Sequence, residues 1–430
     1  MQTRSHHLPS LLLAVFSGLG ILSTFSGGMF ILLSGVLALA VPALFPNSAA
    51  SPGNDILLAS GLFLCGTLLI PSGYYSLRRL TLELRGLEGK PIQPASIRPI
   101  RFWQVIVILA LWAVAILLGG WLGNTFKVSW LVTPLFYMLA IVLPVLTLLW
   151  IGLGGLPLGS HQRVWGTFGI GLLAGPGLAT IAEFMIYLGL AVLGIVFLLA
   201  HPEWTGTFTR IQAQVSTARD LDTVLTILAP YLMNPLLILL AFVVMSGLVP
   251  LIEELLKPVA VWLLAGRLRT PAEGFALGAL SGAGFALVEG LVAGSSAGEG
   301  WSALVVARTG GSLMHILATG LMGWGIASAW QERRILRLVG SYVLSVSIHG
   351  LWNGMTMTIV FGALRVFLAG SGSDALGVFL GTAGMVVLAI LFMLTLISLV
   401  LINRKLRPVP LVLVPTPPDN GSSDSCHNVI

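Results

Sequence analysis

Six ionisable side chains stand in stretches that are otherwise hydrocarbon: Glu183, Glu253, Glu254, Glu289, His315 and His349. An ionisable group at the centre of a bilayer costs about 2.5–3.5 kcal/mol on insertion scales, so each needs a reason to be there. Five of the six fall between Glu253 and His349, which leakage of charge into helices at random does not produce. In Glu253-Glu254-Leu255-Leu256-Lys257 the lysine lies four residues after one carboxylate and three after the other, the spacings of helix neighbours. Its ammonium keeps one carboxylate ionised in a low dielectric, while two adjacent acids split their proton affinities. A carboxylate base beside a proton reservoir is the requirement of general acid–base catalysis. The same i, i+4 spacing aligns Phe285 with Glu289 and His349 with Asn353.

The elements that carry these residues are membrane helices. The 430 residues are 56% hydrophobic and 9% charged, with a mean hydropathy of +0.97. A soluble domain carries about 25% charged residues, so this chain cannot cover a globule with polar surface. Apolar runs of spanning length recur from Leu11 to Ile402, which excludes a single anchor. The fold class expected is an all-α polytopic transmembrane bundle of about 11–13 spans. That count takes Leu8–Phe45 as two passes broken at Ser26-Gly27-Gly28, and Gly166–Ala200 as two broken at Gly175-Pro176-Gly177. Residues 229–248 and 250–266 are read as separate spans. Cys65 and Cys426 supply neither a disulfide framework nor a cysteine metal site.

The net charge of 22 − 16 = +6 lies in short loops between apolar runs, so it sets orientation and points to no nucleic acid. The basic segments are residues 78–101, Arg267/Arg269, Arg333/Arg334/Arg337 and Arg404/Lys405/Arg407. All are expected on the cytoplasmic side of the plasma membrane, with the C-terminus. From these loops Glu254, Glu289, His315 and His349 each lie roughly 18–25 Å along their helices, at 1.5 Å per residue. Two of those helices run inward and two outward, so one polar site within the membrane is inferred. Gly274, Gly278 and Gly282 recur every fourth residue, the small-residue pattern of closely packed membrane helices. Glu183 is read as structural, Arg308 as snorkelling from the end of its span, and Trp103, Trp301 and Trp330 as interfacial.

The order E-E-x-x-K, then F-x-x-x-E, then two intramembrane histidines with the second as H-x-x-x-N, resembles the PrsW family. The resemblance runs from Pro250 to Asn353, and Pro271-Ala272-Glu273-Gly274 with Gly284-Phe285-Ala286 resembles a second motif region of that family. It implies a glutamic-type intramembrane endopeptidase, sometimes described as a metalloprotease, in a superfamily with CAAX prenyl proteases and bacteriocin-processing enzymes. The implied substrate is a membrane-anchored protein cut at or near the lipid bilayer. By this resemblance Glu253 or Glu254 is the general base. His315 and His349 orient water or protonate the leaving amine, and Asn353 donates to the oxyanion. Glu289 completes the catalytic set, with Lys257 and Phe285 in support. Cofactor use stays open between none and Zn2+; a metal would take Glu254, Glu289, His315 and His349. One departure is Gly290, where the family usually has Asn after the glutamate.

The expected organisation is N-terminal helices of unknown role over 1–200, a polar connector over 201–228, a catalytic bundle over 229–402 and a disordered cytoplasmic tail over 403–430. The competing reading is a proton- or ion-coupled secondary transporter that uses the buried Glu/His chain. Transporters commonly repeat broken helices in two halves. Here the buried polar groups are concentrated in one half, which favours the peptidase.

Overall fold

The computed structural model describes residues 7–40, 52–87, 95–125, 129–218, 220–295, 301–370 and 374–408. Among them there is no strand. Ten helices are long and apolar enough to cross a bilayer, and the chain is a multi-pass membrane protein. In chain order the helices are α1 (Leu8–Ala40), α2 (Pro52–Leu84), α3 (Phe102–Thr125), α4 (Ser129–Leu153) and α5 (His161–Ala200). Two shorter helices follow, α6 (Pro202–Thr217) and α7 (Leu221–Leu232). One apolar run, Pro235–Arg267, then comprises α8 (Pro235–Phe242), a π-helical turn (Val243–Leu248), α9 (Val249–Leu256) and α10 (Val259–Leu264). The last four are α11 (Pro271–Ser295), α12 (Trp301–Glu332), α13 (Ile335–Leu368) and α14 (Ala375–Leu406).

Among the described residues ten runs, where 11–13 spans were expected, are long and apolar enough to cross, because each of the three runs read as two spans is one continuous run. The Gly-rich points read as breaks are points of helix contact. Gly28 sits against the Phe63 ring and the Ala59 carbonyl of α2, and α1 continues through it. Residues 41–45 of that run lie outside the described residues. α5 passes through Pro176 unbroken, and Gly171 and Gly175 before it lie against α11 and against the backbone of Lys257. The expected break near Pro250 is a π turn inside one crossing.

Single crossings have a consequence for sidedness. With each of the ten runs spanning once, every basic segment falls on the same side as the others. The contacts agree. Arg163 at the start of α5 pairs with Glu273 at the start of α11 at 2.7 Å. Asn403 near the end of α14 is buried and donates to the carbonyls of Gly152 and Gly154 at the end of α4. The helix therefore runs past Asn403, where a disordered tail was expected, to Leu406; residues 409–430 lie outside the described set. The connector is two helices, with α6 carrying no buried residue.

α11 is the centre of the bundle and is buried along most of its length. A Cβ added at Gly274, Gly278 or Gly282 would strike the carbonyl oxygens of Gly323, Thr319 or His315, so α11 and α12 meet backbone to backbone. On the opposite face, a Cβ at Gly284 would meet the backbone of Gly171 and Leu172 of α5 at 2.6–2.8 Å. Without a hydrophobic force between helices in lipid, this close packing is what holds them.

Candidate active site

The α9 segment owes its shape to two prolines. Val249 N–H bonds back to Val244, one residue farther than in an α-helix, so the Met245 carbonyl loses its ordinary partner. The next residue able to reach it is Pro250, which has no N–H. The Asn353 side chain of α13 donates to that carbonyl at 2.9 Å. α9 ends before Pro258, and Val261 N–H turns to the Pro258 carbonyl and not to that of Lys257; Ser281 of α11 donates to the Lys257 carbonyl at 2.6 Å. These two clamps fix α9 between α11 and α13, with Glu253, Glu254 and Lys257 all buried.

Lys257 Nζ is the hub. It stands 2.7 Å from Glu253 Oε2, 2.7 Å from Glu254 Oε1 and 2.8 Å from His315 Nδ1. Glu254 Oε1 and His315 Nδ1 accept hydrogen bonds from the ammonium, and Glu253 Oε2 faces it as an ion pair. His349 Nδ1, 3.3 Å from the same nitrogen, is 2.9 Å from Glu254 Oε1 and is assigned as the donor to that carboxylate. His349 Nε2 then faces Glu253 at 3.9 Å. The Phe285 ring lies under the ammonium, 4.6 Å from its centroid, and against the His315 ring at 5.3 Å. The two imidazoles meet edge to face at 5.2 Å.

His315 presents its other nitrogen, Nε2, to Glu289 Oε2 at 2.6 Å, and Arg308 holds the same carboxylate oxygen at 2.5 Å. Arg308 is therefore a partner of the site, contrary to the snorkelling expected of it. It supplies the polar support that Gly290 cannot; Gly290 faces Ile141 of α4. Arg308 could have been found from its spacing of seven before His315, one face of α12. Glu254 Oε2 is buried with no hydrogen-bond partner among the described residues. A buried carboxylate oxygen left so is a place that calls for a donor.

The structure thus brings Glu253, Glu254, Lys257, Phe285, Glu289, His315 and His349 together. Asn353 lies one turn from His349 but spends its amide on the Met245 carbonyl. Glu183, expected to be structural, comes to the site from α5, with Glu253, Lys257 and Glu289 among its electrostatic neighbours.

The order and separation of these residues can be set against known proteins. The model for the PrsW family intramembrane metalloproteases matches residues 164–395, just over half of the chain. The chain belongs to the PrsW family. The match opens at the start of α5, so the PrsW region includes helices ahead of the E-E-x-x-K motif. No curated protein and no solved structure matches the chain.

The family's description raises the question of a metal. Glu253, His315 and His349 each offer a ligand atom, all within 4.8 Å of one another, and imidazole with carboxylate is a zinc-type donor set. The Lys257 ammonium, however, stands among these atoms at hydrogen-bond distance. A zinc ion bonding at about 2.0–2.2 Å would need the same place. With Lys257 in position the arrangement does not fit a metal. The four-residue set implied by the resemblance has a further obstacle: Glu254 lies on the Nδ1 side of His315, through Lys257, and Glu289 on its Nε2 side.

Proposed function

We propose that this membrane peptidase hydrolyses peptide bonds of membrane-anchored proteins with a glutamate-activated water and no metal, using Lys257 as its resident cation. The observation that supports this most is the convergence of two carboxylates and two imidazoles on one buried ammonium. Glu254 is the general base. Its Oε1 is held by Lys257 and His349, which leaves Oε2 to accept from the attacking water.

As water adds to the scissile carbonyl carbon, its proton passes to Glu254 and negative charge develops on the carbonyl oxygen. Lys257 and the imidazole N–H groups are positive or donating groups already fixed in a low dielectric, where such preorganised donors have most effect. Collapse of the tetrahedral intermediate breaks the C–N bond, and the proton returns through an imidazole to the leaving amine. Glu289, pinned by Arg308, orients His315 for that transfer. The organisation that suits this reading is a catalytic bundle over 229–402 completed by α5, in the plasma membrane with the basic face and C-terminus cytoplasmic.

The test uses purified full-length protein and a tagged single-pass membrane protein as probe. Glu254→Gln should lower cleavage by about 10²–10⁴-fold, the usual worth of a positioned base. Cleavage by Glu254→Gln at the wild-type rate overturns the assignment. Proton-driven solute uptake lost in the same variant would return the protein to the transporter reading.

A further inference from the structure

We infer that a cleft on the basic face, between the end of α4, residues 95–101 and the end of α14, binds the phosphate of an anionic phospholipid headgroup. None of the residues gathered around Lys257 lines it, so the inference is independent of the reaction.

Hydrogen bonds fix the walls of the cleft. Ala95 N–H donates to the Gly159 carbonyl at 2.8 Å and Gly155 N–H to that of Ile97 at 2.9 Å, so residues 95–101 lie against the turn that follows α4. The Trp150 indole N–H adds a bond to the Arg98 carbonyl at 2.6 Å. From α14, the buried Asn403 gives its amide N–H groups to Gly152 and Gly154, and its Oδ1 accepts from Arg407 Nε at 2.9 Å and Nη2 at 2.6 Å. Gly155 has a φ of +80°, and a Cβ there would stand 3.3 Å from Arg407 Nε, so the guanidinium packs where a side chain would press on it. The opening that remains measures about 260 Å³, with Ile100, Trp150, Val400, Asn403, Arg404 and Arg407 in its lining.

Charge and polarity select the ligand. α4, α14 and residues 95–101 contain no Asp or Glu, while Arg98, Arg101, Arg404, Lys405 and Arg407 fall in or directly after them. Among the described residues no carboxylate pairs with Arg404 or Arg407, so the positive charge at the cleft is uncompensated. Asn403 takes two of the five N–H groups of Arg407, which leaves three, held in a fixed fork that matches the oxygens of a phosphate. Ile100, Trp150 and Val400 supply apolar surface beside the guanidinium groups, at the end of two spans where an indole sits at headgroup level. A basic pocket between membrane helices, with hydrocarbon on one side and cations on the other, suits the headgroup of an anionic lipid.

The experiment takes full-length protein from nanodiscs of phosphatidylcholine mixed with phosphatidylglycerol into native mass spectrometry, and titrates short-chain forms of both lipids in detergent while following thermal unfolding. Phosphatidylglycerol should be retained on the chain and should raise the unfolding midpoint saturably, whereas phosphatidylcholine should do neither. Arg404→Gln and Arg407→Gln should each weaken phosphatidylglycerol binding about fivefold, the effect of removing one basic residue from an anionic headgroup. Arg404 is exposed, so its loss leaves the fold intact and the variant remains a fair test if Arg407→Gln unfolds. Arg267→Gln removes an exposed arginine of the same face outside the cleft and should leave binding unchanged. Equal weakening in all three variants, or in none, overturns the inference, as does retention of phosphatidylcholine equal to that of phosphatidylglycerol. Inorganic phosphate that raises the midpoint as far as the lipid does overturns the assignment to a lipid.

Discussion

α11 and the outer half of α5 are both apolar and glycine-bearing, yet they meet opposite fates. In α11, Gly274, Gly278 and Gly282 face carbonyl oxygens of α12, and the helix is buried almost end to end. In α5, Gly189 and Gly194 have open space where a Cβ would stand, and nearly every large side chain from Ile181 to Leu199 is exposed. Glycine content alone does not make a packed helix; a partner backbone at the same spacing does. The difference separates a rigid wall, which holds Phe285 and Glu289, from a bare flank that lies beside the site at Glu183 and Tyr187.

The largest break in that contrast should come from Lys257→Met. Removing the cation that Glu253 and Glu254 share leaves uncompensated charge, an expected loss of about 3–5 kcal/mol. Thermal unfolding in detergent should show a marked drop; an unchanged midpoint would mean the carboxylates are paired otherwise. Next comes Gly278→Leu, which forces α11 from α12 and should cost about 1–3 kcal/mol or more. Asn353→Leu should cost about 1–3 kcal/mol by orphaning the Met245 carbonyl, with the π turn showing faster amide hydrogen exchange. Smallest is Gly189→Leu, expected within about 0.5 kcal/mol of wild type because nothing lies against that position. Equal damage from Gly278→Leu and Gly189→Leu would erase the distinction between wall and flank.

Much of the site was legible because charge in a hydrocarbon segment is costly and so carries information. Glu253, Glu254, Lys257, Glu289, His315 and His349 are each conspicuous against apolar neighbours, and their depths agree along four helices. Arg308 was missed because a basic residue near the end of a span has an ordinary explanation in snorkelling, and only the Glu289 contact separates the two. Glu183 was set apart because sequence distance hides that α5 returns to α9. The span count was overread for a related reason. Gly-Pro-Gly weakens a helix in isolation, whereas here Gly175, with Gly171 before it, is where α5 touches α11 and Lys257. The role of Asn353 was hidden in backbone accounting, since the orphaned Met245 carbonyl exists only once the π turn meets Pro250.

The central claim is that an ammonium, and not a metal ion, gathers the catalytic groups. Wild-type protein should be stripped with a chelator, checked for bound zinc by elemental analysis, and assayed on the single-pass probe. The account predicts an undiminished cleavage rate at zinc contents far below one ion per chain. Activity that disappears on stripping and returns with stoichiometric zinc, dependent on His315 and His349, would contradict it.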